Sequence, residues 1–270
     1  MTKKETLIVL GSALGLLILA IPFDFQLSAL IYNQSNLFGR TFEAIGEFPA
    51  MAVAMFSSAA LIFTRNRKKP LSNIGSLILG GLFLGLSALM GGVLPFNYLE
   101  LSLIPGFVLA VVYVVIAVLL VKKIPIQAYP QLRRAAWIGL LTFIVSMIVV
   151  NLIKMGWGRM RFRAMEGSTV GFSPWYLPQG FNSNEEFKSF PSGHVANAAL
   201  ILFITLLPSF IPAWEKHKAK LKFVAYGWVI LVALSRIVMG AHFLSDVTVG
   251  FLVTLLVFLL FSKLFKVKSA

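Results

Sequence analysis

The chain has 270 residues, 58% hydrophobic and only 13% charged. A soluble domain carries about twice that charged share, so a water-soluble globule is excluded, and the absence of cysteine excludes disulfides and thiolate metal sites. A formal charge of +14 would suggest a nucleic-acid partner in a soluble protein, but here membrane topology accounts for it and no nucleic acid is implied.

The N-terminus, MTKKE before an apolar run from Leu7 to Pro22, has the layout of a secretory signal. No small-x-small cleavage site follows, so it reads as an uncleaved first span. A span takes about 20 mostly apolar residues. The predicted spans are Leu7–Phe23, Phe48–Phe63, Ile74–Leu94, Leu103–Val121, Ala135–Ile153, Val195–Ile211, Phe223–Met239 and Phe243–Phe261. The fold class is therefore all-α, a polytopic helix bundle of about eight spans. Between the first two, Leu27, Leu30 and Ile31 recur at helical spacing among polar residues. They predict either a short interfacial amphipathic helix or an ordinary loop.

With the N-terminus inside, the inner segments are 1–6, 64–73, 122–134, 212–222 and 262–270. They hold 17 of the 24 basic residues, among them Arg67, Lys69 and Lys268, and only two acids, Glu5 and Glu215. Inside nets +15 and outside −1, which predicts both termini in the cytoplasm. The seven outer cations are Arg40, Lys154, Arg159, Arg161, Arg163, Lys188 and Arg236. Positive charge on the translocated side opposes the topology rule, and a bound anion would explain it.

Three polar clusters fall at that outer face. KMGWGRMR, 154–161, places Lys154 and Arg161 about two turns apart on one side of a helix, an ammonium and a planar fork suited to phosphate oxygens. Interfacial snorkelling is the alternative. FPSGH, 190–194, fits a helix start: Ser192 offers a hydroxyl, Gly193 a close backbone approach, and His194 a proton. A capped helix with an incidental histidine is its alternative. SRIVMGAHFLSD, 235–246, supplies Arg236, His242 and Asp246. The last two are four apart and would share a helix face, the carboxylate fixing which imidazole nitrogen stays free. A structural His–Asp pair is the alternative. No carboxylate cluster suggests a metal site. The aromatic-rich stretch between the first two clusters, with Trp157, Phe172, Trp175, Tyr176, Phe181 and Phe187, either lines a headgroup entry or sits in an interfacial belt.

The order K-x6-R, PSGH, SR-x5-H-x3-D over Lys154–Asp246 resembles the three-part signature of the type 2 phosphatidic acid phosphatase superfamily. The resemblance covers about a third of the chain. One position departs from it: Phe162 stands where the family usually has proline. The resemblance implies residues 1–134 as N-terminal transmembrane helices with an interfacial segment, and 135–270 as a phosphatase core with the site on the last four spans. It implies a metal-independent membrane lipid phosphatase without cofactor. Its substrate would be a lipid phosphomonoester or diphosphate of the undecaprenyl diphosphate, phosphatidylglycerol phosphate, phosphatidic acid or lipid A class. Lys154, Arg161, Ser192, Gly193 and Arg236 would bind phosphate. His242 would attack to give a phosphohistidine, Asp246 would orient it, and His194 would protonate the leaving oxygen. A phosphotransferase with a non-water acceptor and an anion or lipid transporter are the rival readings. A multi-pass bacterial plasma-membrane enzyme with an extracytoplasmic site is the expected setting, its oligomeric state open.

Overall fold

The computed structural model describes residues 2–66, 68 and 70–267. Arg67, Lys69 and Lys268 of the charge count lie outside the described residues. Helix α1, Lys3–Ile31, opens on a capping box: the Thr2 hydroxyl accepts from the Glu5 N–H, and the Glu5 carboxylate accepts from the Thr2 N–H. It continues past its predicted end at Phe23. Leu27, Leu30 and Ile31 therefore finish α1 and form no helix of their own. The helix can continue because Asp24, deep in an apolar run, has a buried arginine partner. The short amphipathic helix lies further on, as α2, Leu37–Ile45, started by Asn36, whose side-chain oxygen accepts from the Gly39 N–H at 3.3 Å. It lies along the helix Lys218–Val238, with Phe42 against Trp228 at 5.5 Å between ring centroids.

Helix α3 keeps its predicted bounds, Phe48–Phe63. It is short but central, and Ala50, Ala54, Ala59 and Ala60 are fully buried. Small side chains around its surface let neighbours approach closely without polar glue. Helices α4, Pro70–Tyr98, and α5, Ile104–Lys122, form a tight hairpin beside it. A Cβ on Gly106 would fall 2.8 Å from the Gly92 carbonyl oxygen, so only glycine permits that crossing. Helix α6 is Tyr129–Trp157. Helix α7, Gly193–Ala198, runs on as a 3-10 helix, Ala199–Ser209. Helices α8, Lys218–Val238, and α9, Leu244–Leu264, complete the bundle.

Among the described residues seven helical segments are long and apolar enough to cross a membrane, by length and composition. The remaining predicted span, Val195–Ile211, falls on a shorter apolar helix, Gly193–Ser209. Because a 3-10 helix rises about 2.0 Å per residue against 1.5 Å for an α-helix, it still reaches roughly 30 Å, the thickness of a hydrocarbon core. The chain is a polytopic, all-helical membrane bundle; among the described residues there is no strand.

Basic segments meet at one pole. Lys222 pairs with Glu5 at 2.6 Å, joining 212–222 to 1–6. Arg133 donates to the Thr64 carbonyl at 3.2 Å and to the Ser72 and Ser76 hydroxyls, joining 122–134 to 64–73. Helix α1 starts at that pole and carries Asp24 into a polar network near its other end.

Candidate active site

Helix α6 stops at Trp157 because Gly158 takes a left-handed φ of 61°, which a side chain would strain. Lys154 therefore sits on the last helical turn, while Arg161 lies beyond the helix in extended backbone. The predicted placement of both on one helix face is corrected: Gly158 turns the chain off the axis before a second turn is complete. Phe162 then begins a 3-10 turn to Met165. Its ring packs on Phe25 and Tyr32 at 5.4 and 5.3 Å, and the Arg163 N–H donates to the Gly240 carbonyl at 3.0 Å. The turn at Phe162 is thus fixed by aromatic packing and a backbone hydrogen bond.

The segment 188–192 draws the three clusters together. The Lys154 ammonium donates to the Lys188 carbonyl at 2.9 Å. His242 Nδ1 lies 2.6 Å from the Ser189 carbonyl. The Ser192 N–H donates to the Asp246 carbonyl at 2.9 Å. Ser192 caps α7, its hydroxyl oxygen accepting from the Val195 N–H at 3.4 Å. A Cβ on Gly193 would meet no atom within 4 Å, so that backbone borders open space.

His242 precedes helix α9, and Asp246 is at its first turn, where Oδ2 accepts from the Phe243 N–H at 2.8 Å. The two do not share a helix face, as the i,i+4 spacing had suggested. Nor is Asp246 the hydrogen-bond acceptor for His242: its Oδ2 is 3.8 Å from Nδ1, and the Ser189 carbonyl is the closer partner. A carbonyl only accepts, so Nδ1 carries the proton and Nε2 keeps a free lone pair in the neutral ring. Burial pushes the His242 imidazole well below the ordinary histidine value, against the opposing pull of Asp246. The ring is therefore neutral at physiological pH.

Asp246 is instead the centre of a buried network. Its Oδ1 accepts from Arg159 at 2.5 Å and its Oδ2 from the Ser189 hydroxyl at 2.5 Å. Arg159, fully buried, also donates to Asp24 at 3.0 Å, to the Ser245 hydroxyl at 2.8 Å and to the Ser173 carbonyl at 3.0 Å. Its guanidinium lies over the rings of Phe243 and Phe172 at 4.2 and 5.6 Å. Ser245 closes the circuit by donating its hydroxyl and backbone N–H to Asp24.

The outer cations divide accordingly. Arg159 pairs with Asp24 and Asp246, Arg163 with Glu186, Lys188 with Glu185 and Arg236 with Glu43. The Arg163 partner holds Glu186 below the usual carboxylate range. A bound anion is therefore not needed to explain those four. Among the described residues Arg40, Lys154 and Arg161 are left without an ion-paired carboxylate, and of these Lys154 and Arg161 lie by the three clusters. Among the described residues Arg161 makes no side-chain hydrogen bond, and its Nε is buried without a partner, as are Arg236 Nε and His194 Nε2. The Lys154 charge bears on both His194 and His242, and Arg161 on Lys154 and His242. Buried donors without a partner call for acceptor oxygens. Among the described residues no group of three or more histidines and acids is placed to hold a metal ion.

Sequence reasoning counted Arg159 only among the outer cations and gave no role to Ser189, Ser245, Asp24, Glu43, Glu47 or Tyr98. Asp24 carried a signal: an ionisable residue in an apolar run needs a named partner. The others lie in polar linkers or beside a recognised motif, where spacing says nothing. Of the loop aromatics, Trp157 stacks on Phe190 at 4.5 Å and Phe172 packs on Phe25 and Phe243, while Tyr176 and Phe181 are exposed.

Comparison with known proteins matches residues 135–269 to the PAP2 superfamily. The chain belongs to that superfamily. It is 32% identical over 129 residues to phosphatidylglycerophosphatase B of Bacillus subtilis, a match covering 47% of this chain and 58% of the relative. It is 30% identical over 126 residues to lipid A 1-phosphatase of Rhizobium johnstonii, covering 44% and 45%. The corresponding Rhizobium etli protein is 29% identical over 126 residues, covering 44% and 47%. The chain thus spans about half the length of the relatives it matches. No solved structure matches it significantly. The PAP2 match takes in α6 to α9 and all eight predicted site residues. Asp24, Glu43, Glu47 and Tyr98 reach them from outside it.

Proposed function

We propose that this PAP2 protein is a membrane lipid phosphatase. It hydrolyses a lipid phosphomonoester or diphosphate through a phosphohistidine on His242, at the extracytoplasmic face. One observation carries the reading. His242 is held by its Nδ1–H, which leaves the Nε2 lone pair for attack, beside two cations, Lys154 and Arg161, that form no ion pair with a carboxylate among the described residues. The names of the relatives, a phosphatidylglycerophosphatase and lipid A phosphatases, support a lipid phosphate as substrate.

The chemistry follows from the residues. The phosphoryl oxygens accept from Lys154, Arg161, Arg236, the Ser192 hydroxyl and the Gly193 N–H, whose contacts strengthen as charge spreads over the equatorial oxygens. His242 Nε2 attacks phosphorus while His194 gives a proton to the departing oxygen. His194 then takes a proton from water, whose oxygen attacks phosphorus as the P–N bond breaks. Asp246 supports the imidazolium of His242 through Ser189 and at 3.8 Å through space. The paired basic segments at the opposite pole support an outward-facing site with both termini inside.

The test is phosphate release by the purified protein from phosphatidylglycerol phosphate, undecaprenyl diphosphate, phosphatidic acid and lipid A, with His242→Ala as blank. Release from at least one lipid by wild type and none by the variant is expected. Release only after a non-water acceptor is added would make the protein a phosphotransferase. Near-full activity of the variant would remove His242 as nucleophile.

A further inference from the structure

Nothing in the three-part signature provides a partner for His194, yet the fold does. Glu47 stands at the start of α3, outside the PAP2 match. Its Oε1 lies 3.6 Å from His194 Nδ1. The same oxygen accepts from Asn197 Nδ2 at 2.9 Å, and Oε2 accepts from the Tyr98 hydroxyl at 3.3 Å. Asn197 is one turn along α7 from His194. Tyr98 ends α4, and its ring stands 5.5 Å from the imidazole at a tilt of 54°. Both carboxylate oxygens are thus fixed by donors from different helices. On the far side of the ring, Nε2 is buried and has no protein partner.

We infer that Glu47 is the positioning residue of the general acid. Facing Nδ1, it supports the imidazolium of His194 and directs Nε2–H at the leaving oxygen. This rests on the phosphohistidine reading and adds a second carboxylate–histidine pair to it, built by the N-terminal helices. In the first step the bond from phosphorus to the leaving oxygen breaks as the bond to His242 Nε2 forms. The proton on His194 Nε2 goes to that oxygen, leaving a neutral ring whose Nδ1–H still faces Glu47. In the second step the same nitrogen takes a proton from water and the imidazolium returns. A charged ring in so buried a place needs an anionic neighbour. Glu47 is the carboxylate nearest to it, and a separation of 3.6 Å is of the kind that tightens when substrate binds.

A merely structural Glu47, present to receive Asn197 and Tyr98, predicts a different outcome from a positioning one. General-acid help matters for a poor leaving group, the alkoxide of a lipid phosphate, and little for an acidic phenol. The experiment compares the full-length protein in detergent with Glu47→Gln, His194→Ala and the double variant on phosphatidic acid and on p-nitrophenyl phosphate. The ratio of kcat on the lipid to kcat on the aryl phosphate should fall by about 10- to 100-fold in Glu47→Gln. It should fall in the same direction in His194→Ala, and no further in the double variant. Equal losses on both substrates, or additive losses in the double variant, overturn the inference. If Glu47→Gln does not fold, Glu47→Asp keeps the charge but lengthens the gap. A lowered ratio then supports the role and an unchanged ratio overturns it. Failure of the functional reading looks different, since His242→Ala would then remain active on both substrates.

Discussion

Asp24, in the first helix, and Arg159, in the loop after the sixth, form a buried ion pair at 3.0 Å. Arg159 holds Asp246 with its other terminal nitrogen. The helix furthest in sequence from the site is therefore one residue, Arg159, away from Asp246, which lies beside the proposed nucleophile His242.

Replacing either partner should be costly, and unequally so. Arg159→Met strands two buried carboxylates, Asp24 and Asp246, and should destabilise by about 3–5 kcal/mol. Asp24→Asn leaves Arg159 with Asp246 and should cost less. Thermal unfolding in detergent should rank wild type above Asp24→Asn above Arg159→Met. The reverse order would mean that Asp24, not Arg159, anchors the network.

The pH dependence follows from His242. Burial lowers its pKa, so the ring stays unprotonated, and Nε2 nucleophilic, to a pH well below the ordinary histidine value. The acid limb of kcat/KM should thus fall away clearly below about 6.5. A profile measured over roughly pH 4 to 9 that declines at an ordinary histidine value would show His242 to be solvated in the working enzyme.

The cations separate binding from architecture. Arg161 makes no side-chain hydrogen bond among the described residues, so Arg161→Ala should lower kcat/KM by about 10²–10³-fold with little change in unfolding temperature. Arg236 donates twice to Glu43, so Arg236→Ala should lower both. Equal thermal losses in the two variants would place Arg161 in the architecture as well.

Ser189 serves the site twice, and its two roles can be parted. Ser189→Ala keeps the carbonyl that holds His242 but removes the hydroxyl from Asp246 Oδ2. The lost bond to a buried carboxylate should cost about 1–3 kcal/mol, read as a drop in kcat of about 10- to 100-fold. Asp246→Asn, which also takes the charge from Arg159, should lose more. Phosphate release by the two variants under saturating substrate measures both.

Phosphoryl transfer by two histidines and fixed cations calls for no added metal. Activity in excess chelator should equal that in buffer, and vanadate, which can adopt the five-coordinate geometry, should inhibit. A chelator-sensitive rate restored by a divalent cation would require a different assignment of the phosphate-binding groups.

The spans, their order and the three polar clusters were legible in the sequence because each is a local property: an apolar run of bilayer length, a glycine, serine or histidine beside a break, a charge on the wrong side. Phe48–Phe63 even kept its bounds, since its small residues fix both its helicity and its central place. Tertiary structure alone decided which acids answer which cations. Asp24, Glu43 and Glu47 are separated from Arg159, Arg236 and His194 by well over a hundred residues, and no periodicity links them. It also decided that His242 leans on a backbone carbonyl, where spacing pointed to Asp246, because Gly240 and the cap of α9 take the pair off a shared helix face. Side-chain chemistry is written along the chain, but a buried charge must be matched by whatever the packing brings within a few ångströms, and that is known only once the helices have met.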